Sequence, residues 1–234
     1  MLEVEHLSLA FRGVRALRDV SFSVADGSVT ALIGPNGAGK TTVFNCIGRL
    51  LTPDGGAITF GDDNLLSHRT PELAHLGIAR TFQHAALFNS LDVRHNVQVG
   101  ADSARRTRRE TMPVDDVLEL LQLQDVATHS PESLPLGTKK RVEIARALAC
   151  GPKLLLLDEP AGGLTHDEVQ SMRDTLLDLR TTLNITMLLI EHHVQMVMSM
   201  SDHVVVMSSG TMLASGPPDQ VQNNTLVVAA YLGG

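Results

Sequence analysis

Apolar and polar residues alternate with a period of two along Val20-Ser21-Phe22-Ser23-Val24, and Leu2 to Ala10 does so approximately. That period turns one face of an extended chain toward a core and the other toward water, so both segments are predicted to be antiparallel strands. Val29-Thr30-Ala31-Leu32-Ile33 is instead a short apolar, β-branched run, as expected of a strand buried on both faces. Thr42 to Leu51 carries apolar residues at helical spacing and no proline, which predicts a helix beginning near Lys40. Gly55-Gly56 and Gly61 bracket a further strand, Ala57 to Phe60.

From Pro71 to about Leu148 the pattern becomes mostly helical, broken by the arginine-rich run Arg105 to Arg109 and by Ser133-Leu134-Pro135-Leu136-Gly137. This block reads as an inserted helical lobe. Alternation then returns: a strand Lys153 to Leu157, a helix from about Asp167 to Thr182, a strand Ile185 to Ile190, a helix from about Val194, and a strand Val204 to Met207. Strands separated by helices indicate βαβ units, hence an α/β fold with a mostly parallel sheet behind an antiparallel β region.

A chain of 234 residues with 43% hydrophobic content can bury a sizeable core as one large domain or two intimate lobes. Its formal charge of -7 argues against a nucleic-acid partner, which needs a basic footprint to displace counterions. The arginine-rich run is the local exception and is read as a solvated loop. Apolar stretches such as Met187-Leu188-Leu189-Ile190 are too short to span a bilayer. Met1-Leu2-Glu3 opens without a basic segment and apolar run, so no secretory signal is expected and the compartment should be reducing. Cys46 and Cys150 are then expected to be free thiols within helices. With no Trp and a single Tyr, a broad aromatic platform for base stacking is unavailable.

The chemistry concentrates in Gly34-Pro35-Asn36-Gly37-Ala38-Gly39-Lys40-Thr41-Thr42, which fits the phosphate-loop pattern of Gly, four residues, Gly-Lys-Thr. Glycines let backbone N–H groups turn inward around phosphates, where a side chain would occupy the ligand's space. Lys40 offers a point charge to the outer phosphates, Thr41 a hydroxyl to Mg²⁺, and the helix beginning near Lys40 its dipole and unpaired N–H groups. A nucleoside triphosphate is the expected ligand. Leu154-Leu155-Leu156-Leu157-Asp158-Glu159-Pro160 is an apolar strand ending in two carboxylates, expected to face the same crevice. Successive strand residues point in different directions, which assigns Asp158 to the Mg²⁺ shell and Glu159 to a water in line with the terminal phosphate.

These motifs, together with Gln83 in Arg80-Thr81-Phe82-Gln83, the segment Leu134 to Arg141, and Glu191-His192, follow the order seen in ATP-binding-cassette ATPases. Gly77 to Gln83, Arg141 to Leu148, Leu189 to His192 and the ending Ala230-Tyr231-Leu232-Gly233 further resemble the ATP-binding subunits of branched-chain amino acid importers. The resemblance implies a P-loop, RecA-like core with an N-terminal antiparallel β subdomain and an inserted helical subdomain. Residues 1–234 would be a single ATPase domain, with 1–83 and 151–234 forming the catalytic lobe and 84–150 the helical, signature-bearing lobe.

The resemblance also assigns roles. Gln83 would approach Mg²⁺ and the attacking water, and pass nucleotide occupancy to a membrane partner. His192 would touch the terminal phosphate and Phe11 would lie against adenine. Leu134, Pro135 and Gly137 would serve the ATP of an opposing subunit in a head-to-tail dimer, whether a sister ATPase or a second copy. Integral-membrane permeases, and indirectly an extracytoplasmic solute-binding protein, would complete an importer at the cytoplasmic face of the membrane. A lipid or lipopolysaccharide exporter uses the same machinery, and a soluble ATPase scaffold is the alternative from another class.

Two positions depart from the family pattern. Pro135 replaces the serine of the common Leu-Ser-Gly-Gly-Gln signature, and Thr165 stands where an aspartate is common. In a homodimer Pro135 would lie over both ATP sites, whereas pairing with a sister subunit would supply an intact serine from across the interface.

Overall fold

The computed structural model describes residues 1–81, 86–107 and 111–232. Two units are present, Met1–Thr70 with Thr186–Gly234, and Pro71–Ile185. The first opens with β1 (Leu2–Phe11) and β2 (Val14–Val24), followed by β3 (Val29–Ile33), α1 (Lys40–Ile47), β4 (Gly55–Phe60) and the short β5 (Asp63–Asn64). The second holds α2 (Leu73–Leu76), β6 (Ile78–Arg80), α3 (Val93–Thr107), α4 (Val114–Leu120), α5 (Leu136–Leu148), β7 (Leu154–Asp158) and α6 (His166–Leu183). The chain then returns to the first unit with β8 (Thr186–Ile190), α7 (Val194–Met200), β9 (His203–Ser208), β10 (Thr211–Gly216), α8 (Pro218–Gln222) and α9 (Thr225–Leu232).

In the first unit β1 pairs antiparallel with β2 and β4, and β4 with β5, giving the expected antiparallel region. The alternation along β1 is only approximate because register shifts fall between Val4 and Leu7. His6 there has φ 51° and faces Asp19, φ 56°, across a 2.6 Å contact from Nδ1 to Oδ1. The irregularity keeps Leu2, Val4, Leu7 and Leu9 all buried despite the broken period. A second sheet carries β3 between β8 and β9, parallel to both, with β10 antiparallel on β9. Every residue of β3 and β8 is buried, which is why both read as continuous apolar runs. The β10 strand was not apparent in the sequence pattern, because Thr211 to Gly216 alternates poorly and is held by its hairpin partner.

In the second unit β6 pairs parallel with β7, from Ile78 opposite Leu154 to Arg80 opposite Leu156. Pro71 to Leu148 is mostly helical as expected, and β6 is the addition the pattern did not show: three residues carry no period, and only the ladder to β7 defines them. The arginine run is likewise corrected in part. α3 continues through Thr107, so Arg105 is helical and lies 3.4 Å from Asp102 one turn earlier. Helices α3 and α5 pack closely at Gly100, where a Cβ would lie 2.0 Å from the Arg146 carbonyl oxygen. Cys46 is buried within α1, and burial pushes its thiol up to about 11. Cys150 sits just beyond α5 rather than inside it, its thiol also raised by burial.

Candidate active site

The phosphate loop joins the end of β3 to the start of α1. Gly34 has φ 151° and a Cβ there would lie 2.2 Å from the Met207 carbonyl oxygen on β9. Gly39 has φ 100° and its Cβ would lie 2.8 Å from the Ala16 carbonyl oxygen on β2. These glycines are therefore demanded by the loop's seat on neighbouring strands, a reason beyond the ligand-space argument. Gly37, φ 80°, has open space where its Cβ would be and answers to backbone conformation alone. Ala38 is buried, and its carbonyl accepts from the Gly210 N–H at 3.0 Å. Asn36 and Gly37 are exposed, Pro35 half-buried.

Lys40 is only 8% exposed and its ammonium donates to the Gly34 carbonyl at 2.7 Å and the Pro35 carbonyl at 3.0 Å. The cation is thereby held over its own loop. α1 has no acidic residue in its first turn and no side chain capping its N-terminus, so nothing of like charge opposes an anion there. Thr41 is exposed and Thr42 half-buried.

Because β8 runs beside β3 in parallel, with Ile190 opposite Leu32, the Glu191-His192 turn emerges at the same strand ends as the phosphate loop. Glu191 is fully buried, and its Oε2 accepts the N–H of His192 at 3.0 Å and of His193 at 3.3 Å. The His192 side chain remains 54% exposed, its ring centroid 4.5 Å from that of His193. Phe11, at the end of β1, is 46% exposed and so takes no part in the core.

In the second unit, Asp158 closes β7 at 3% exposure. Its Oδ2 accepts from Arg80 Nη2 at 2.8 Å, and its N–H donates to Thr81 Oγ1 at 3.2 Å. Thr81 is tied down by its own N–H to the Leu156 carbonyl at 2.9 Å. Glu159 follows in the left-handed region with φ 51°. Its carbonyl accepts from Lys140 Nζ and from the Gly162 N–H, each at 3.0 Å.

The signature segment opens α5. Leu134 is buried, Pro135 and Leu136 are exposed, and Gly137 is half-buried. Like α1, this helix has neither an acidic first turn nor a side-chain cap. A Cβ on Gly137 would lie 3.2 Å from Glu168 Oε1. Glu168 Oε2 in turn accepts from both the N–H and the hydroxyl of Thr165, each at 2.9 Å, and these bonds hold its carboxyl below the usual range. Thr165 thus begins α6 as a helix-capping residue.

A family model described as ABC transporter matches residues 17–162. The chain belongs to this family. It is accordingly an ATP-binding, ATP-hydrolysing cassette, and the phosphate loop and Asp158-Glu159 lie in the matched region. A second model, the branched-chain amino acid ATP-binding cassette transporter, matches residues 211–234. The chain is 38% identical to the high-affinity branched-chain amino acid transport ATP-binding protein BraF of Pseudomonas aeruginosa, over 100% of this chain and 98% of that protein. It is 37% identical to LivG of Escherichia coli, whose name carries the same description, with the same coverage. Among solved structures, a nucleotide-free ATP-binding cassette from an ABC transporter matches with TM-score 0.89 at 31% identity, covering 100% of this chain and 99% of that one. An ADP conformation of such a cassette matches with TM-score 0.88, also at 31% identity.

The cassette's residues fit ATP and Mg²⁺. The open helix N-terminus, the Lys40 cation and the exposed Thr41 hydroxyl suit a phosphate chain. Among the described residues no three of His, Cys, Asp and Glu group as a metal cage. Magnesium bound with phosphates needs only one or two protein oxygens, and the exposed Thr41 hydroxyl is one such donor. Gln83 lies outside the described residues. The sequence reading missed Arg80, Thr81, Lys140 and Glu191, each of which holds a site residue in place. Arg80 and Thr81 stood in the quoted Gln83 motif and Lys140 in the signature segment, but nothing in those motifs marks a buried cation.

Proposed function

We propose that this ABC ATPase powers import of branched-chain amino acids. The match of residues 211–234 to the branched-chain model carries this reading, because that region lies outside the general ATPase match and distinguishes subfamilies. Full-length similarity to BraF and LivG supports it.

In the proposed site Gly34, Pro35, Asn36, Gly37, Ala38, Gly39, Lys40, Thr41 and Thr42 bind the phosphates, and Phe11 lies against adenine. Thr41, Gln83 and Asp158 would hold Mg²⁺, which when bound neutralises charge on the phosphate oxygens. Glu159 accepts the proton of the attacking water, and His192 and Gln83 orient the terminal phosphate and that water. Leu134, Pro135 and Gly137 complete the site of an opposing cassette through the uncapped N-terminus of α5.

Residues 1–83 with 151–234 act as the catalytic lobe and 84–150 as the helical lobe. Permease subunits anchor the assembly at the cytoplasmic face. No helix among the described residues is long and apolar enough to cross a membrane. A groove of about 480 Å³ lined by Ile78, Phe88, Val99 and Arg146 offers the second unit a surface for a permease segment.

The test is uptake into vesicles reconstituted with the chain, the permeases that copurify with it, and their binding protein. ATP-dependent accumulation of labelled leucine, isoleucine or valine is expected. Accumulation of another solute class, or ATP-dependent efflux of lipid, would overturn the import reading.

A further inference from the structure

Glu159 holds a backbone conformation that a glutamate rarely adopts. Its φ of 51° lies in the left-handed region, where a Cβ crowds the following carbonyl. Such a residue persists only where its surroundings fix it. The fixing groups are visible: the Glu159 carbonyl receives the Gly162 N–H at 3.0 Å from within the turn and the Lys140 ammonium at 3.0 Å from α5. Lys140 is 5% exposed, although lysine usually keeps its head in water. Burying an ammonium is costly, and an aliphatic residue of similar length would fill the space without that cost.

We propose that Lys140 is a positioning residue for hydrolysis, holding the Glu159 carbonyl so that the strained turn presents the Glu159 carboxylate to the attacking water. This rests on the reading of Glu159 as the hydrolytic base. The ammonium is fixed in the second turn of the helix that opens at the signature segment, so Lys140 also ties the placement of Glu159 to the seating of α5. A shift of α5 alters hydrolysis through this bond without requiring Lys140 to touch nucleotide. Gly162 constrains the same group from the other side. A Cβ added there would lie 3.3 Å from the Glu159 carbonyl oxygen and 3.5 Å from its Oε2, so the turn would have to give by a few tenths of an ångström.

The experiment measures ATP affinity, single-turnover hydrolysis and thermal melting of the full chain for Lys140→Met, Lys140→Arg, Gly162→Ala, Glu159→Gln and the Lys140→Met/Glu159→Gln pair. Lys140→Met should slow hydrolysis on the order of ten- to a hundredfold, the effect of small misplacement of a reacting group, with ATP affinity within about twofold of the parent. Lys140→Arg, which keeps a donor, should recover most of the rate. The double variant should be no slower than Glu159→Gln alone, because both changes act on one group. If Lys140→Met does not fold, Gly162→Ala carries the test and should slow hydrolysis while keeping affinity.

Unchanged hydrolysis in Lys140→Met, or in Gly162→Ala where that variant carries the test, would overturn the proposal while leaving Glu159 in its role. So would parallel loss of affinity and rate, or additive losses in the double variant. Unchanged hydrolysis in Glu159→Gln would remove the base assignment itself, and the Lys140 proposal with it.

Discussion

The phosphate loop and the Asp158-Glu159 turn both follow buried strands, yet their charged groups are held by different kinds of partner. The cation of the loop is held by neighbours in sequence, Lys40 folding back on the carbonyls of Gly34 and Pro35. The loop backbone is also seated on β2 and β9 and bonded to Gly210 through the Ala38 carbonyl. The carboxylate turn is held from a distance, by Arg80 and Thr81 on one side and Lys140 on the other. The Lys40 cation is thus fixed by consecutive residues, whereas the Asp158 and Glu159 carboxylates, proposed to serve hydrolysis, are placed by cations that the fold brings in. Damage to the first should be local and to the second should spread.

Arg80→Met should give the largest stability effect. It leaves Asp158 as a buried carboxylate without its guanidinium, a change that typically costs about 3–5 kcal/mol. Chemical denaturation checks this, and a loss under about 1 kcal/mol, the range of a surface pair, would show that the clamp is unimportant.

That contrast also explains what could be read beforehand. The glycines, Lys40 and the paired carboxylates form short patterns whose chemistry is visible residue by residue, and the buried runs of β3, β7 and β8 announce a parallel sheet. The strand β6 was hidden because three residues carry no period. The helical continuation of α3 was obscured because charged Arg105 resembles a loop when its Asp102 neighbour on the helix is not yet placed. Arg80 and Lys140 were missed for a different reason: charged residues are ordinarily on the surface, and only the tertiary structure shows Lys140 buried and Arg80 largely covered against the turn.

Lys40→Ala ranks next. It deletes a charge-assisted contact to phosphate, so ATP affinity should fall by roughly ten- to a hundredfold, in line with about 1.5–3 kcal/mol for hydrogen bonds to charged groups. Isothermal titration measures it, with Arg80→Met expected to keep far more affinity than stability. Unchanged affinity in Lys40→Ala would reject the loop as the phosphate site.

The smallest effect belongs to Thr165→Ala. The Thr165 N–H, and after it the Thr165 hydroxyl that alanine removes, hold the Glu168 carboxyl below its ordinary value of 4.5, so the folded form keeps its charge where the unfolded form takes up a proton. The associated stability is present above that ordinary value and is lost as pH falls through the folded value. Melting curves from pH 7 to 3 should show a slightly lower midpoint for Thr165→Ala near neutrality, with the gap narrowing in acid. A gap that widens in acid would contradict this sign.

The central claim is that binding and hydrolysis reside in separately supported regions, and Glu159→Gln tests it most directly. ATP affinity and single-turnover hydrolysis should be measured on the same preparation. Affinity should stay within about twofold of the parent, while hydrolysis should slow on the order of a hundredfold or more through loss of the proposed general base. Affinity and hydrolysis falling together, or hydrolysis unchanged, would contradict that claim.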